Sequence, residues 1–438
     1  MAKPVVAIVG RPNVGKSTLF NRLAGTRISI VESEPGITRD RIYADIEWQD
    51  EKFILIDTGG IETDSDDIII SKIRQQAQLA IEEADLLLFV VDGRSGITNL
   101  DEEIAGYLRK TNKKIILVIN KVDDFSLVDE IIWQFYALGF EEMMPLSAEH
   151  GKNIGDLLEK IIENLPEIAE EEEDSEVLNI AIVGKPNVGK SSLVNYIAGQ
   201  ERSIVSDIPG TTRDAIDTLV EVNGIKYNLI DTAGLRRKAR IKESIEYYSV
   251  IRTLRAIDRA DAVLMMIDAR DGVTTQDKRI VGYAHDSGKA IVLAVNKWDL
   301  IEKDSKTMEE YKKDIYDELK FLTYAPITFI SALTGQRVTE ALELLEYVVD
   351  QNSLRIKTGL LNEVLEEAFL LREPPGYRGK KLKLLYATQV GIKPPTFLLF
   401  VNDPELMHFS YERYLENALR DAFGFVGTSI RIILKKRN

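Results

Sequence analysis

Gly10-Arg11-Pro12-Asn13-Val14-Gly15-Lys16-Ser17 follows the apolar run Val5-Val6-Ala7-Ile8-Val9, and Gly184-Lys185-Pro186-Asn187-Val188-Gly189-Lys190-Ser191 follows Ile180-Ala181-Ile182-Val183. A strand, a glycine-bearing loop ending in Gly-Lys-Ser and then a helical pattern form a phosphate loop. The glycines let backbone N–H groups turn toward phosphates, and the helix N-terminus adds a favourable dipole. The two loops lie 174 residues apart. The same spacing relates Pro35-Gly36-Ile37-Thr38-Arg39-Asp40 to Pro209-Gly210-Thr211-Thr212-Arg213-Asp214, and Asp57-Thr58-Gly59-Gly60 to Asp231-Thr232-Ala233-Gly234. Asn120-Lys121-Val122-Asp123 and Asn296-Lys297-Trp298-Asp299 follow at an offset of 176, and Ser147-Ala148 and Ser331-Ala332 at 184. A repeat this long means duplicated domains, each large enough to hold its own core.

Outward from each loop, apolar runs alternate with helical patterns. VVAIV, FILID, LLLFVVD and IILVIN in the first copy match IAIVG, YNLID, AVLMMID and IVLAVN in the second. Strands alternating with helices imply βαβ units and a mostly parallel sheet covered on both faces, with ligands at the carboxyl ends of the strands. Between the copies, seven of the ten residues 167–176 are acidic, and such a run reads as an extended, solvated linker. After residue 352 the repeat ends. GLLNEVLEEAFLL reads as an amphipathic helix, and KLKLLYATQV as a strand with Lys381 and Lys383 on one face. TFLLFVND and SIRIIL read as two further strands, flanking a helix over SYERYLENALRDAFGF with Ser410 as its N-cap. The fold class is therefore α/β: two phosphate-loop domains, 1–166 and 178–352, joined by a linker at 167–177 and followed by a small α+β domain at 353–438.

The repeated motifs imply a nucleoside triphosphate and Mg²⁺. Lys16 and Lys190 are expected to reach the β- and γ-phosphates, and Ser17 and Ser191 to ligate the metal. Asp57 and Asp231 end strands, where a carboxylate holds Mg²⁺ through water, and Thr38 and Thr212 lie in loops that close over it. Gly60 and Gly234 offer N–H groups to the γ-phosphate and move once it leaves, which makes a switch. The catalytic set is thus Lys16, Thr38 and Gly60 with Lys190, Thr212 and Gly234. Asp123 and Asp299 select the base: a carboxylate accepts from the N1–H and exocyclic amine of guanine, a pair adenine lacks. Asn120 and Asn296 are expected to bind N7 or to brace the loop. The stems of Lys121 and Lys297 cover the ring, and the Ala148 and Ala332 N–H groups meet the guanine O6.

The residue after each Asp-x-x-Gly is hydrophobic, Ile61 or Leu235. An apolar side chain cannot orient water as the glutamine of signalling GTPases does, so slow hydrolysis is expected. Asn13 and Asn187 either ligate a monovalent cation, with potassium-stimulated hydrolysis as the consequence, or only stabilise the loop turn.

Composition narrows the class. The chain has 438 residues, no cysteine and a net charge of −15, which excludes thiolate chemistry and argues against uniform non-specific nucleic-acid binding. Residues 353–438 nevertheless carry 14 Lys/Arg against 9 Asp/Glu, a local excess that points to an anionic partner. Arg378, Lys380, Lys381, Lys383 and residues 435–437 are candidates for phosphate contact. Arg236, Arg237, Lys238, Arg240 and Lys242 fall in the expected second switch, where the first copy has the acidic ETDSDD, and are expected to touch RNA or an acidic domain surface in one nucleotide state only. No apolar run approaches the ~20 residues that span a bilayer. MAKPVVAIVG lacks a signal-peptide layout, so a cytoplasmic location is expected. His150, His285 and His408 share no metal-ligand spacing and are expected to be structural.

Tandem GTPase motifs followed by a basic α+β domain resemble the EngA (Der) family of bacterial GTPases, and YATQVGIKPPTFLLFVNDPELMHFSYERYLENALRDAFGF resembles its KH-like domain. The resemblance covers essentially the whole chain. It implies GTP and GDP as ligands, potassium dependence, and a role in maturation of the large (50S) ribosomal subunit and its rRNA. Direct RNA binding by the last domain stays open, because the Gly-x-x-Gly loop of ordinary KH domains is absent. A membrane-associated GTPase would want an anchor, and an RNA-modifying enzyme a further catalytic domain. Neither is visible, and nothing demands an oligomer, so a monomer without stable membrane association is expected.

Overall fold

The computed structural model describes residues 3–25, 43–49, 51–57, 84–166, 177–199, 217–230, 246–304, 306–376 and 380–436. The chain divides into two compact units, Met1–Glu171 and Glu172–Asn438.

In the first unit the strands are β1 (Val5–Val9), β2 (Tyr43–Trp48), β3 (Glu51–Asp57), β4 (Leu86–Asp92), β5 (Lys114–Asn120) and β6 (Met143–Pro145). They form one sheet in the order β2-β3-β1-β4-β5-β6. All neighbours are parallel except β2 and β3. Helices α1 (Lys16–Ala24), α2 (Asn99–Leu108), α3 (Val128–Phe135) and α4 (Ile154–Asn164) connect them. Val6, Ile8, Leu86, Leu88 and Val90 share a core with Leu19 and Leu23 of α1 and Leu157 and Leu158 of α4. The alternate residues Val5, Ala7, Leu87, Phe89 and Val91 are equally buried, which is why these strands read as unbroken apolar runs rather than alternating ones. Helix α2 starts at a capping box, with Thr98 accepting from the Asp101 N–H and Asp101 from the Thr98 N–H.

The second unit repeats this plan. Strands β7 (Val177–Val183), β8 (Thr218–Val222), β9 (Ile225–Ile230), β10 (Ala262–Asp268), β11 (Ala290–Asn296) and β12 (Ile327–Phe329) lie in the order β12-β11-β10-β7-β9-β8. Helices α5 (Lys190–Ala198), α6 (Glu246–Arg259), α7 (Thr275–Asp286), α8 (Thr307–Glu318) and α9 (Val338–Asn352) accompany them. The edge pair β2–β3 and its counterpart β8–β9 are antiparallel. Sequence reading assigned neither β2 nor β8.

The same unit continues into a three-stranded sheet, β13 (Leu384–Gly391), β14 (Thr396–Val401) and β15 (Arg431–Lys436), with α10 (Thr358–Leu371) and α11 (Phe409–Phe423). Leu361, Leu365, Leu415 and Leu419 of the helices pack on Ala387, Phe397, Leu399 and Val401 of the sheet. Two sequence expectations shift here. Strand β13 begins at Leu384, after the lysines, where the Asn402 side chain takes the Lys383 N–H and the Lys381 carbonyl in place of a strand partner. The N-cap of α11 is His408, whose Nδ1 accepts from the Ser410 N–H at 3.3 Å. Ser410 itself lies in the first turn. The loop before β15 is fastened to β11 and to the segment before β12 by backbone hydrogen bonds, Ile291 N to Gly427 O (2.7 Å) and Gly427 N to Tyr324 O (2.9 Å).

Candidate functional site

Each phosphate loop leaves the carboxyl end of the sheet's central strand, β1 or β7, and turns into α1 or α5. The last glycine decides this turn. Gly15 has φ +93 and Gly189 φ +108, values an L side chain rarely adopts. A Cβ at either would stand 2.4 or 2.2 Å from the Nδ2 of Asn120 or Asn296. Asn13 and Asn187 sit at φ +64 and +61, a left-handed conformation that asparagine tolerates better than most residues. Their side chains are exposed and make no hydrogen bond among the described residues. Val14 and Val188 are buried beneath the loops.

Both loop lysines are buried and fold over the loop. Lys16 Nζ donates to Arg11 O at 2.8 Å, and Lys190 Nζ to Gly184 O at 2.5 Å and Lys185 O at 2.7 Å. Burial pushes the Lys16 ammonium below its ordinary value, with the Asp57 carboxylate opposing. A cation so held loses little by trading carbonyls for phosphate oxygens, which is the exchange nucleotide binding requires. Ser17 and Ser191 follow in the first helical turn, and Asp57, also buried, ends the adjacent strand β3.

The base-side loops are built alike in both units. Asn120 Nδ2 donates to Val14 O at 2.9 Å, and the Ala148 N–H donates to Asn120 Oδ1 at 3.0 Å. Asn296 does the same with Val188 O (2.7 Å) and Ala332 N–H (2.8 Å). The two asparagines therefore tie the phosphate loop to the Ser-Ala loop. Val122 and Trp298 are buried anchors behind the loops, Trp298 packing 4.4 Å from the Phe329 ring. Asp123 accepts from Ser147 Oγ at 2.7 Å and pairs with Arg94, and these two contacts hold its carboxyl below the usual carboxylate range. Asp299 is exposed. In the second unit a cleft of about 610 Å³ opens beside the loop, lined by Lys185, Pro186, Asn187, Asp268, Thr274 and Lys297.

Thr38, Thr58, Gly59, Gly60, Ile61, Thr212, Asp231, Thr232, Ala233, Gly234 and Leu235 lie outside the described residues, as do Arg236, Arg237, Lys238, Arg240, Lys242, Arg378 and the 167–176 stretch. Of the remaining basic candidates, Lys381 pairs with Glu373, while Lys380 and Lys383 are exposed. His285 is packed against Phe321 and bonded to Tyr324 Oη at 2.6 Å, and burial lowers its pKa to about 4.

Sequence reading passed over Asp92 and Asp268, which end β4 and β10 and receive the Lys121 and Lys297 ammonium groups. It also passed over Arg94, and over the tethers of the loops' second residues: Arg11 to Asp101 (3.2 Å) and Lys185 to Asp271 (2.5 Å). The available signal was a strand-ending Asp recurring at the 176-residue offset, in VVDGRSG and MIDARDG.

A family described as 50S ribosome-binding GTPase matches residues 5–121 and again 179–297. The KH-domain-like C-terminal family of EngA bacterial GTPase enzymes matches residues 355–435. The chain is 69% identical over 437 residues to GTPase Der of Halothermothrix orenii, each chain fully covered. It is 57% identical to GTPase Der of Ruminiclostridium cellulolyticum over 437 residues and 58% identical to that of Desulfitobacterium hafniense over 439 residues. Each of these matches covers 100% of this chain and 99% of the relative.

Proposed function

The chain belongs to the EngA (Der) family of bacterial GTPases, and on that premise we propose that it is a double GTP switch whose hydrolysis times its docking on the large (50S) ribosomal subunit during assembly. The observation that carries the reading is the duplicated site. The same asparagine brace and the same folded lysine occur in two units, which supports a guanine-nucleotide site in each copy. In this reading Lys16 and Lys190 take the β- and γ-phosphates, and Asp123 and Asp299 take the guanine edge. Asp123 must first release Arg94.

Mg²⁺ would take hard oxygen ligands: the Ser17 and Ser191 hydroxyls, the Asp57 carboxylate at the end of β3 and, by motif alone, Asp231, Thr38 and Thr212. The exposed amides of Asn13 and Asn187 suit K⁺. Both cations would supply positive charge against the phosphates. With Ile61 and Leu235 unable to orient water, the protein's own contribution is to bind, to neutralise charge through lysine and to align the chain through Gly60 and Gly234. The domains are taken as 1–166, 178–352 and 353–438. Lys380, Lys381 and Lys383, with Arg378 and the basic segment after the second switch, are taken as rRNA phosphate contacts, which supply affinity without reading sequence. A monomer working in the cytoplasm fits this role, and no described helix is long and apolar enough to cross a membrane.

Sedimentation with purified 50S and 30S subunits tests the proposal. The chain should pellet with 50S in a non-hydrolysable GTP analogue, less so in GDP, and release as salt rises. Equal behaviour in both nucleotides, or pelleting with neither subunit, would refute the ribosomal switch.

A further inference from the structure

Asp92 and Asp268 occupy one place in two separately built sites. Each is the last residue of a central strand, β4 or β10, and is 8% or 3% exposed. One carboxylate oxygen is used locally. Asp92 Oδ1 accepts from the Arg94 N–H at 2.9 Å, and Asp268 Oδ1 from the Arg270 N–H at 3.0 Å. The other oxygen faces across to the base-side loop. Asp92 Oδ2 accepts from Lys121 Nζ at 2.6 Å, and Asp268 Oδ2 from Lys297 Nζ at 2.5 Å. In the first unit that ammonium also donates to Asn13 O of the phosphate loop at 2.7 Å.

The lysines need such a partner. Lys121 has φ +67 and Lys297 φ +64, a left-handed backbone that a lysine holds only when its surroundings over-determine it. A flexible four-carbon side chain covers a purine face only if its far end is fixed. The strand-end carboxylate fixes it, and in the first unit a loop carbonyl completes the clamp.

We infer that Asp92 and Asp268 are positioning residues for guanine-nucleotide binding. Each pins the lysine of the Asn-Lys-x-Asp loop so that its stem lies flat against the base, and in the first unit the pinned Lys121 also ties that loop to the phosphate loop. This rests on the reading that these loops receive the guanine base. The aspartate touches no nucleotide; it acts through the lysine. Because the device occurs twice, each site has its own clamp, and breaking one leaves the other working.

Asp92→Asn separates the two duties of the carboxylate. The amide oxygen still serves the Arg94 N–H, so the local turn persists, while the charged bond to Lys121 is lost. The experiment uses the full-length chain in an Asp299→Asn background, which removes the base-reading carboxylate of the second site. A fluorescent GDP analogue is titrated into the parent, Asp92→Asn, Lys121→Met and the double variant. Losing one charge-assisted hydrogen bond weakens binding about tenfold to a hundredfold. The expected result is a loss of that size for Asp92→Asn, with the double variant no weaker than Lys121→Met alone, because the aspartate has nothing left to act on. An Asp92→Asn affinity equal to the parent's, or losses that multiply in the double variant, overturns the clamp. An unchanged affinity in Lys121→Met instead overturns the underlying reading of the base loop. The mirror set, Asp268→Asn and Lys297→Met in an Asp123→Asn background, decides the matter if a first-unit variant fails to fold.

Discussion

Replacing Asn120 by alanine cuts the two hydrogen bonds that fasten the phosphate loop to the base-side loop, at 2.9 and 3.0 Å. The side chain is 2% exposed, so bulk water does not replace it at once. A net hydrogen bond is worth about 1 kcal/mol and a buried partner left unpaired costs about 1–3 kcal/mol, which puts the loss at about 2–4 kcal/mol for the pair. In a unit of this size each kcal/mol moves Tm by about 2–4 °C. Scanning calorimetry of the full chain reads the effect. The first unit's transition drops by about 4–16 °C while the second keeps its temperature, and the stabilisation of the first unit by added GDP shrinks. Asn296→Ala gives the mirror image, since its bonds at 2.7 and 2.8 Å are the same two. The reasoning fails if Asn120→Ala leaves both the first transition and its GDP response where the parent has them, because no other side chain is credited with joining the phosphate loop to the Ser-Ala loop.

Gly189→Ala forces a Cβ to 2.2 Å from Asn296 Nδ2 at φ +108, and nucleotide binding at the second site should fall by more than about a hundredfold, on the order of 3 kcal/mol. A filter-binding or fluorescence titration checks this, the first site serving as control. GTP hydrolysis should run faster in KCl than in NaCl at equal ionic strength; equal rates would remove the proposed role of Asn13 and Asn187. Stability of the second unit should respond to two half-buried groups of opposite sense. Burial raises Glu416 to about 7, so it keeps more protons folded than unfolded and its contribution is lost as pH climbs from about 4.5 to 7. Burial, aided by Arg420 and Arg431, lowers His285 to about 4, so its contribution is lost as pH falls from about 6.5 to 4. The two offset in the wild-type chain. Denaturant titrations of Glu416→Gln should therefore show stability rising from pH 4 to 6.5, and a flat profile would contradict the assignment.

What sequence could tell here is set by range. The phosphate loops, the central strands and the helices after them are specified by neighbours within a few residues, through Gly15, Lys16 and the unbroken run Leu86–Asp92, and they were legible. The brace by Asn120 was legible as one of two alternatives, because its partners Val14 and Ala148 lie 106 and 28 residues away. The Lys121–Asp92 and Arg94–Asp123 pairs were not. Nothing local in LLLFVVDGRSG says that its aspartate faces a lysine 29 residues on. Edge strand β2 was hidden because Asp45 and Glu47 leave YADIEW without an apolar run, Ile46 alone being buried among its described side chains. At α11 a serine looks like the better cap from preference alone, yet His408 takes the position, its Nδ1 accepting from the Ser410 N–H. A strand-ending carboxylate repeated beside both loops is the one clue that was present and went unread.

The central claim is two working guanine sites on one chain, and the direct test is to count bound nucleotide. Equilibrium dialysis or calorimetric titration with GDP should find two equivalents per chain, unaffected by excess ADP, with Asp123→Asn and Asp299→Asn each removing one. A single equivalent in the parent chain, or competition by ADP, would contradict the account.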